Sequence, residues 1–352
     1  MTRTMHLCQQ QHSVDIHCHV ASLADPALLS SRAASAGNKD SKGRQDRYNQ
    51  RCWLVFSLLI ILLIFPGAIF AQDGAPHIVK FQPVLSISGS MKLPSDVAVD
   101  QSGRIFILDG TADIVRVYSS KGEPIFTLGG AGILKQPLGI DVSPGGDVVV
   151  ADSGNHRLAF FPAENKTPHY IDVPSSVDGN PSDPTDVNFG PDNTFIVVDN
   201  DNHRVVSLTR SGKVVWTTGT MGRNPGEFRF PFLMDIDRLG RIYIVEAINT
   251  RVQVLESNGK FARFIGEWGI EPGQFFRPKG VVVNDKNEVF VSDSYLGVIQ
   301  VFKREGGLIG VIGDGHGKIT KFKTPVGMAI SGNRLIVVEM FNNRVLILEK
   351  QD

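Results

Sequence analysis

The chain has 352 residues, of which 42% are apolar and 20% charged, and its 36 basic residues are balanced by 36 acidic ones. This composition is that of a globular protein and excludes a chain that is disordered throughout. Because there is no basic excess, nucleic acid is not expected as a partner.

The first 71 residues differ in composition from the rest. Residues 1–52 are rich in Ala, Ser, Gln and basic residues without an apolar period, which predicts a disordered extension; a translation start nearer Arg47 would omit most of it. The apolar run at 53–71 is typical of a secretory signal peptide and is also long enough for a membrane anchor. Either alternative predicts an extracytoplasmic location, periplasmic, secreted or membrane-anchored, for the remainder of the chain.

A pattern repeated six times organises residues 77–350. Each copy opens with a proline and carries an acidic residue at the end of its second apolar stretch. The prolines are Pro94, Pro137, Pro184, Pro231, Pro278 and Pro325, and the acids are Asp109, Asp152, Asp199, Glu246, Asp293 and Glu339. The copies span about 90–130, 133–178, 180–219, 227–266, 274–313 and 321–350. We call them repeats 1 to 6; a period of this length indicates a propeller, a solenoid or an array.

Short apolar stretches with Gly, Asn or Asp between them predict antiparallel strands within each repeat. Four strands in each of six repeats predict an all-β fold, a six-bladed β-propeller of four-stranded antiparallel blades. The last repeat ends after its third strand, and residues 78–88 form an additional strand before the first repeat. We therefore expect this N-terminal strand to join the last blade and close a monomeric propeller.

Two kinds of motif resemble the NHL repeat. One is an acid-x-x-Asn-x-Arg signature, as in Asp152 to Arg157 and Asp199 to Arg204, and the other is a Pro-Gly-x-Phe linker, as in Pro225 to Phe228. The resemblance covers about residues 77–350 and is to exported bacterial proteins of this family. It implies a six-bladed propeller but no particular reaction, because one fold hosts many functions.

The signature predicts a structural role, because the acid and the Arg can pair across a turn that the Asn stabilises. Repeats 1 and 5 depart from it, since Ile114 and Val298 stand where the Arg is expected. His156 and His203 precede the signature Arg, and we expect them to be solvent-exposed turn residues. The complete signatures consist of Asp152, Asn155, Arg157, Asp199, Asn202, Arg204, Glu246, Asn249, Arg251, Glu339, Asn342 and Arg344.

Polar residues two or four positions after the repeat prolines are candidates for a site in the central channel: Asp96, Asp141, Asp186, Asn188 and Asp235. Ca²⁺ prefers several oxygen ligands, so this set predicts a calcium site, and capping of strand ends or binding of channel water is the alternative. Lactonase-type propellers, which the chain resembles in fold, hold calcium with Glu, Asn and Asp. The corresponding first-strand acid is not identifiable here, and no other cofactor is expected.

The sequence predicts an exported or membrane-anchored, non-catalytic binding platform for a protein, a peptide or a glycan. Tyr295, Phe232 and Phe341, which lie at blade edges, are the predicted ligand contacts. The competing prediction is a hydrolase or lyase that uses a divalent metal, such as calcium, held by the channel carboxylates. No Ser/His/Asp or Cys/His arrangement suggests nucleophilic catalysis.

Overall fold

A computed structural model describes residues 76–351 of the chain. The predicted disordered extension at 1–52 and the predicted signal peptide or anchor at 53–71 lie outside the described residues. Within 76–351, no helix has the length and the apolar character needed to span a bilayer.

The described residues form 24 strands and three short 3-10 turns. The turns are Ser153–Asn155, Pro191–Asn193 and Met340–Asn342. The strands are β1 (Ile78–Ser88); in repeat 1, β2 (Pro94–Val99), β3 (Ile105–Asp109), β4 (Ile114–Tyr118) and β5 (Pro124–Gly129); in repeat 2, β6 (Ile140–Val142), β7 (Val148–Asp152), β8 (Arg157–Phe161) and β9 (His169–Asp172); in repeat 3, β10 (Pro184–Gly190), β11 (Thr194–Asp199), β12 (Arg204–Thr209) and β13 (Val214–Thr218); in repeat 4, β14 (Pro231–Ile236), β15 (Ile242–Glu246), β16 (Arg251–Leu255) and β17 (Phe261–Ile265); in repeat 5, β18 (Pro278–Val283), β19 (Glu288–Asp293), β20 (Val298–Lys303) and β21 (Leu308–Gly313); and in repeat 6, β22 (Pro325–Ser331), β23 (Arg334–Glu339) and β24 (Arg344–Lys350).

The strands assemble into an all-β propeller with four-stranded antiparallel blades. Repeats 1 to 4 each form one sheet of four strands in chain order. The remaining strands form one eight-stranded sheet in the order β18-β19-β20-β21-β1-β24-β23-β22. Strand β1 pairs antiparallel with β24 from Phe81 opposite Lys350 to Ser88 opposite Arg344, and parallel with β21 through Ile78 to Lys80.

Apolar side chains fill the space between consecutive repeats. The second strand of each repeat is rich in β-branched residues and buries both of its faces, as expected for strands covered on both sides by neighbouring sheets. One apolar cluster combines Val97 and Ile107 of repeat 1 with Val338 and Val345 of repeat 6. Burial of each such side chain contributes about 1.5–3 kcal/mol relative to exposure, so these clusters hold neighbouring sheets together.

Aromatic residues in two of the linkers contribute to the packing between consecutive repeats. Phe228 and Phe275, each in a Pro-Gly-x-Phe linker, are completely buried. A Cβ atom on Gly219 would lie 2.8 Å from the Phe228 ring, and one on Gly266 would lie 2.2 Å from the Phe275 ring. Both glycines also have positive φ angles, so a side chain would be strained as well as crowded.

Candidate binding face and central channel

In repeats 2, 3, 4 and 6, the signature acid is a buried carboxylate surrounded by side-chain donors. Arg157 Nε lies 2.8 Å from Asp152 Oδ2, and Asn155 Nδ2 lies 2.8 Å from the same oxygen. Arg204, Arg251 and Arg344 pair in the same way with the acids of their repeats. A buried carboxylate is costly unless it is paired and hydrogen-bonded, so these contacts stabilise the turn between the second and third strands.

The acids of the repeats also accept hydrogen bonds from the backbone just before the repeat proline. In repeats 1, 2, 4 and 6, the donor is the N–H two residues before the proline, which belongs to Lys92, Lys135, Arg229 and Lys323 respectively. The donor–acceptor distances are 3.0, 2.7, 3.1 and 2.6 Å. The signature therefore fixes the segment that precedes each of these first strands.

Repeats 1 and 5 satisfy their acids differently. In repeat 1, Arg116 donates its Nε–H to Asp109 Oδ2 at 3.0 Å, although it stands two residues after the expected position. Its side chain reaches the same carboxylate because alternate residues of a strand share a face. The sequence interpretation missed Arg116, and period-two spacing was the signal that could have found it. In repeat 5, Asp293 accepts backbone N–H groups from Phe276, Tyr295 and their following residues.

The residue before the signature Arg position links consecutive repeats. It has a left-handed φ in every repeat, and these residues are Asp113, His156, His203, Thr250, Gly297 and Asn343. His156 Nδ1 lies 2.6 Å from Ser182 O, and His203 Nδ1 accepts the N–H of Phe230 at 3.2 Å. The prediction of solvent exposure is confirmed for His156, which is exposed, and is wrong for His203, which is half-buried.

The turns between second and third strands lie on one side of the propeller, together with the segments that lead into the repeat prolines. We call this side the signature face; it includes residues 109–114, 152–157, 199–204, 246–251, 293–298 and 339–344. The turns between first and second strands lie on the opposite side, which follows from the antiparallel order within each sheet.

The five candidate channel residues lie on first strands. Each of the four aspartates accepts a backbone N–H from the first strand of the following repeat. Asp96 accepts from Ile140, Asp141 from Phe189, Asp186 from Met234 and Asp235 from Val283, at 3.1, 2.9, 2.7 and 2.6 Å. These carboxylates therefore connect the inner edges of consecutive repeats, as the capping alternative suggested.

Two glycines make room for two of these carboxylates. A Cβ atom on Gly139 would lie 2.2 Å from Asp186 Oδ1, and one on Gly327 would lie 2.2 Å from Asp96 Oδ1. Both glycines stand two residues after a repeat proline, at the position that Asp96 and Asp186 occupy in their own repeats. Small and acidic residues thus complement each other at one level of the channel, including across the junction between repeats 6 and 1.

Burial raises the pKa of all four channel carboxylates. It raises the pKa of Asp96 to about 8, that of Asp235 to about 7 and that of Asp141 to about 6. The pKa of Asp186 is also raised, by burial first and then by the negative charge of Asp96. Backbone N–H donors stabilise the ionised forms, but desolvation is the larger effect.

The channel cavity has a volume of about 220 Å³ and is lined by Asp96, Asp141, Asn188 and Asp235, among others. Asn188 is buried, and its Oδ1 atom makes no hydrogen bond within the described residues, although its Nδ2 donates to Val187 O at 3.1 Å. Within residues 76–351, no group of three or more His, Cys, Asp or Glu side chains is arranged to hold a metal ion. The calcium site stays a prediction.

The three predicted ligand contacts differ in exposure. Tyr295 and Phe341 lie in signature turns and are 65% and 55% exposed. Phe232 is half-buried, and the Lys279 ammonium lies 4.5 Å from the centre of its ring. The structure therefore places two of these aromatic residues at the surface and the third beneath a lysine.

Comparison with known proteins agrees with this architecture. Residues 134–161 match the family model of the NHL repeat. A streptogramin B lyase structure has a TM-score of 0.57 at 14% identity, covering 77% of this chain and 98% of its own. A catalytically inactive virginiamycin B lyase from Staphylococcus aureus with quinupristin has a TM-score of 0.56 at 15% identity, covering 75% and 82%.

The fold is also similar to that of an enzyme with a different cofactor. The PQQ-bound aldose sugar dehydrogenase from Streptomyces coelicolor has a TM-score of 0.56 at 14% identity, covering 79% of this chain and all of its own. No curated protein matches the sequence significantly. At these identities, the structural likeness shows the fold alone. Residues 134–161 therefore contain an NHL repeat, and the described residues have a β-propeller fold.

Proposed function

We propose that this protein is a non-catalytic binding platform that recognises a protein, a peptide or a glycan through its signature face. The observation that carries this proposal is the concentration of exposed aromatic and large aliphatic side chains there. Trp268, Ile270, Tyr295 and Phe341 are 70%, 68%, 65% and 55% exposed. Single exposed apolar residues are ordinary, but several on one face mark an interaction site.

Tyr295 belongs to an ordered aromatic pair. Its ring centre lies 4.3 Å from that of Phe276, and the two planes are inclined by 33°. The turn that carries it is held because Asp293 accepts the N–H groups of Tyr295 and Leu296. A rigid aromatic side chain loses little conformational entropy on binding, which favours Tyr295 as a contact residue. Phe232, at the inner end of the same face, is a second contact that a ligand would reach after displacing Lys279.

We infer that the signature face belongs to a closed ring of six blades at about residues 77–350. The eight-stranded sheet divides into repeat 5 and a unit formed by β22, β23, β24 and β1, which only a short parallel pairing connects. The apolar cluster that combines repeats 1 and 6 supports closure of the ring. Full closure removes open sheet edges at the junction, and we propose that the propeller is monomeric.

We further propose that the propeller acts outside the cytoplasm, either free or anchored by residues 53–71. The support for this is the apolar run after basic residues in the sequence. A partner in the same compartment is therefore the one to seek, and nucleic acid is not proposed as that partner.

A second candidate function is that of a hydrolase or lyase with a divalent metal in the channel. Asn188 Oδ1 favours it, because a buried oxygen without a donor is a suitable ligand for Ca²⁺. The raised pKa values of Asp96, Asp186 and Asp235 also suit a site where a cation would stabilise the ionised forms. A bound metal would there supply Lewis-acid chemistry, and these residues would hold it.

Site-specific photo-crosslinking tests the first proposal. Benzoylphenylalanine is introduced at Tyr295 or Phe341 on the signature face, and at Ile125, which is 50% exposed on strand β5 away from that face. In cells that express the protein naturally, the proposal predicts one and the same crosslinked partner from positions 295 and 341, with none from 125. Crosslinks that are equally abundant from 125, or absent from both signature positions, would contradict it.

A further inference from the structure

A cleft of about 680 Å³ lies between repeats 2 and 3. It opens on the side opposite the signature face, because Asp147, Asn193 and Arg210 line it and stand in turns of that side. Strand β9, which forms one wall, has only four residues. It begins at His169 directly after Pro168, which has no N–H to extend the pairing with β8. The volume of the cleft is in the range of sites that bind small molecules.

Arg210 is a half-buried cation of this cleft that forms no ion pair within residues 76–351. Its Nε–H donates to Asn193 Oδ1 at 3.0 Å, and its guanidinium carbon lies 4.1 Å from the centre of the Phe195 ring. These contacts orient the guanidinium, while its two Nη groups make no hydrogen bond with the described residues. Burial lowers the pKa of Arg210, and the negative charge of Asp147 opposes that effect. Because a desolvated cation is costly unless it is paired, an anionic group would be stabilised beside it.

Asp147 supplies the opposite charge in the same cleft and is also half-buried. Its Oδ1 atom accepts the N–H of Ala163 at 2.9 Å, whereas its Oδ2 atom accepts no hydrogen bond within the described residues. Asp147 attracts Arg210 electrostatically but forms no ion pair with it. The cleft therefore contains two opposite charges, each of which lacks a direct charged partner.

The other charged groups do not change this balance. Asp172 alternates on β9 with Ile171, which is buried among apolar residues of repeats 2 and 3, so the Asp172 side chain points away from the cleft. Asp141, which also attracts Arg210, belongs to the channel and accepts two backbone N–H groups there. With His169 neutral, the side chains that face the cleft have no net charge. The exposed charges of the bordering turns are balanced as well, since they are Glu164, Lys166, Asp192 and Lys213.

We propose that this cleft binds a small zwitterion, an α-amino acid or a di- or tripeptide with free termini, whose carboxylate pairs with Arg210 and whose ammonium pairs with Asp147. The planar guanidinium can hold a carboxylate through two parallel N–H···O bonds, for which its Nη groups are available. An apolar side chain of the ligand contacts Phe160, which is half-buried in the wall of the cleft. A ligand with only one kind of charge would leave either Arg210 or Asp147 without a partner. This site goes beyond the proposed function, because it lies away from the signature face.

Isothermal titration calorimetry of the full-length chain with leucine and with trileucine tests the proposal. Two analogues probe the same contacts in the natural protein: N-acetyl-trileucine lacks the ammonium, and trileucine amide lacks the carboxylate. Arg210→Gln and Asp147→Asn remove the corresponding charges from the protein. Arg304→Gln is the matched control, because it removes an arginine that forms an exposed pair with Glu305 in repeat 5.

The proposal predicts saturable binding of at least one of the two zwitterions, and binding of both analogues that is about tenfold or more weaker than that of trileucine if the ligand is a peptide. Binding of leucine alone supports the site as one for free amino acids, in which case N-acetyl-leucine and leucine amide are the analogues. Arg210→Gln should weaken the zwitterion about tenfold or more but affect the amide much less, because the amide has no carboxylate charge to lose. Asp147→Asn should likewise affect the zwitterion more than the N-acetyl analogue. Arg304→Gln should change binding by less than about twofold.

Absence of saturable binding of both zwitterions would overturn the inference, and so would analogues that bind as tightly as the zwitterion. Loss of binding in Tyr295→Ala but not in Arg210→Gln would also overturn it, because the ligand would then bind to the signature face. The analogues are measured on the natural protein, so the inference remains testable if Arg210→Gln does not fold. None of these results alters the photo-crosslinking prediction, so the failure of one proposal is distinguishable from the failure of the other.

Discussion

His203 Nδ1 accepts a hydrogen bond from the backbone N–H of Phe230 at 3.2 Å, and the two rings meet edge-to-face with their centres 4.6 Å apart. The histidine belongs to a turn of repeat 3, and the phenylalanine immediately precedes the first proline of repeat 4. An equivalent bond joins Asn343 Oδ1 of repeat 6 to the N–H of Leu93 in repeat 1, at 2.8 Å. The signature turn thus connects neighbouring repeats as well as stabilising its own.

This relationship predicts a pH-dependent stability. Burial lowers the pKa of His203 below its ordinary value of 6.5, and the positive charge of Arg229 also lowers it. Protonation of Nδ1 would remove the acceptor of the Phe230 N–H. The folded state then binds fewer protons than the unfolded state, so this contribution is complete above pH 6.5 and is lost as the pH falls below it. The midpoint of thermal unfolding should therefore fall more between pH 7 and pH 5 in the natural protein than in His203→Asn.

His203→Asn is the matched variant, because Asn343 performs the same role with a similar positive φ. It should retain stability at pH 7, whereas His203→Leu should lose some because the Phe230 N–H loses its acceptor. Identical pH profiles for the natural protein and His203→Asn would contradict the assignment. Differential scanning calorimetry at each pH provides the measurement.

The channel carboxylates predict a pH effect of the opposite sign. Because the folded-state pKa of Asp96 is raised to about 8, the folded state binds more protons than the unfolded state at neutral pH. This contribution to stability declines as the pH rises from 3.8 through about 8. Infrared spectroscopy should show a protonated carboxyl band at pH 6 that disappears by about pH 9. The band should weaken in Asp96→Asn, and a spectrum without it at pH 6 would contradict the raised pKa values.

The close packing of Gly327 against Asp96 predicts that one added methyl group at position 327 lowers the free energy of unfolding. Gly327→Ala would place a Cβ atom 2.2 Å from Asp96 Oδ1 and 2.6 Å from its Cα atom. Overpacking of this kind costs about 1–3 kcal/mol or more, measured as a lower free energy of unfolding in urea. Gly315→Ala is the control, because no atom lies within 4 Å of the added Cβ. Equal stability of the two variants would show that repeats 6 and 1 do not pack in this way.

Arg116 does not fit the repeat pattern, but its contact with Asp109 predicts that it stabilises the folded protein. Arg116→Gln leaves the buried Asp109 carboxylate without its cation, and such a loss costs about 3–5 kcal/mol when a pair is fully buried. Arg116 is partly exposed, so we expect about 1–3 kcal/mol in urea unfolding. Arg238→Gln, which removes an exposed pair with Asp285, should change stability by less than about 1 kcal/mol. The account of repeat 1 fails if both variants unfold alike.

The spacing of prolines and acids in the sequence was sufficient to predict the order of strands and the pairing of residues 78–88 with the last repeat. Short strands with period-two alternation are strong signals, and their sixfold repetition reinforces them. The direction of the channel residues was not predictable. Irregular pairing after the repeat proline, as between Pro94 and Asp96 and between Pro231 and Met234, shifts the alternation of the strand.

The contacts made by the turn residues also could not be predicted from the sequence pattern. The sequence around His203 is typical of an exposed turn. Only the position of Phe230 in the next repeat shows that His203 accepts a hydrogen bond. Contacts between residues distant along the chain depend on how the sheets are packed, which local propensities do not specify. Exposure of Tyr295 could be predicted from its turn, whereas its ordered pairing with Phe276 could not.

Metal analysis combined with thermal unfolding of the full-length chain tests most directly whether the protein is a binding platform or a metal-dependent enzyme. The binding platform predicts that no divalent ion is retained in stoichiometric amount after dialysis, and that calcium and a chelator leave the unfolding midpoint unchanged. Retained calcium, a midpoint that falls with chelator, and loss of both effects in Asp235→Asn would contradict it. That result would instead support the hydrolase or lyase.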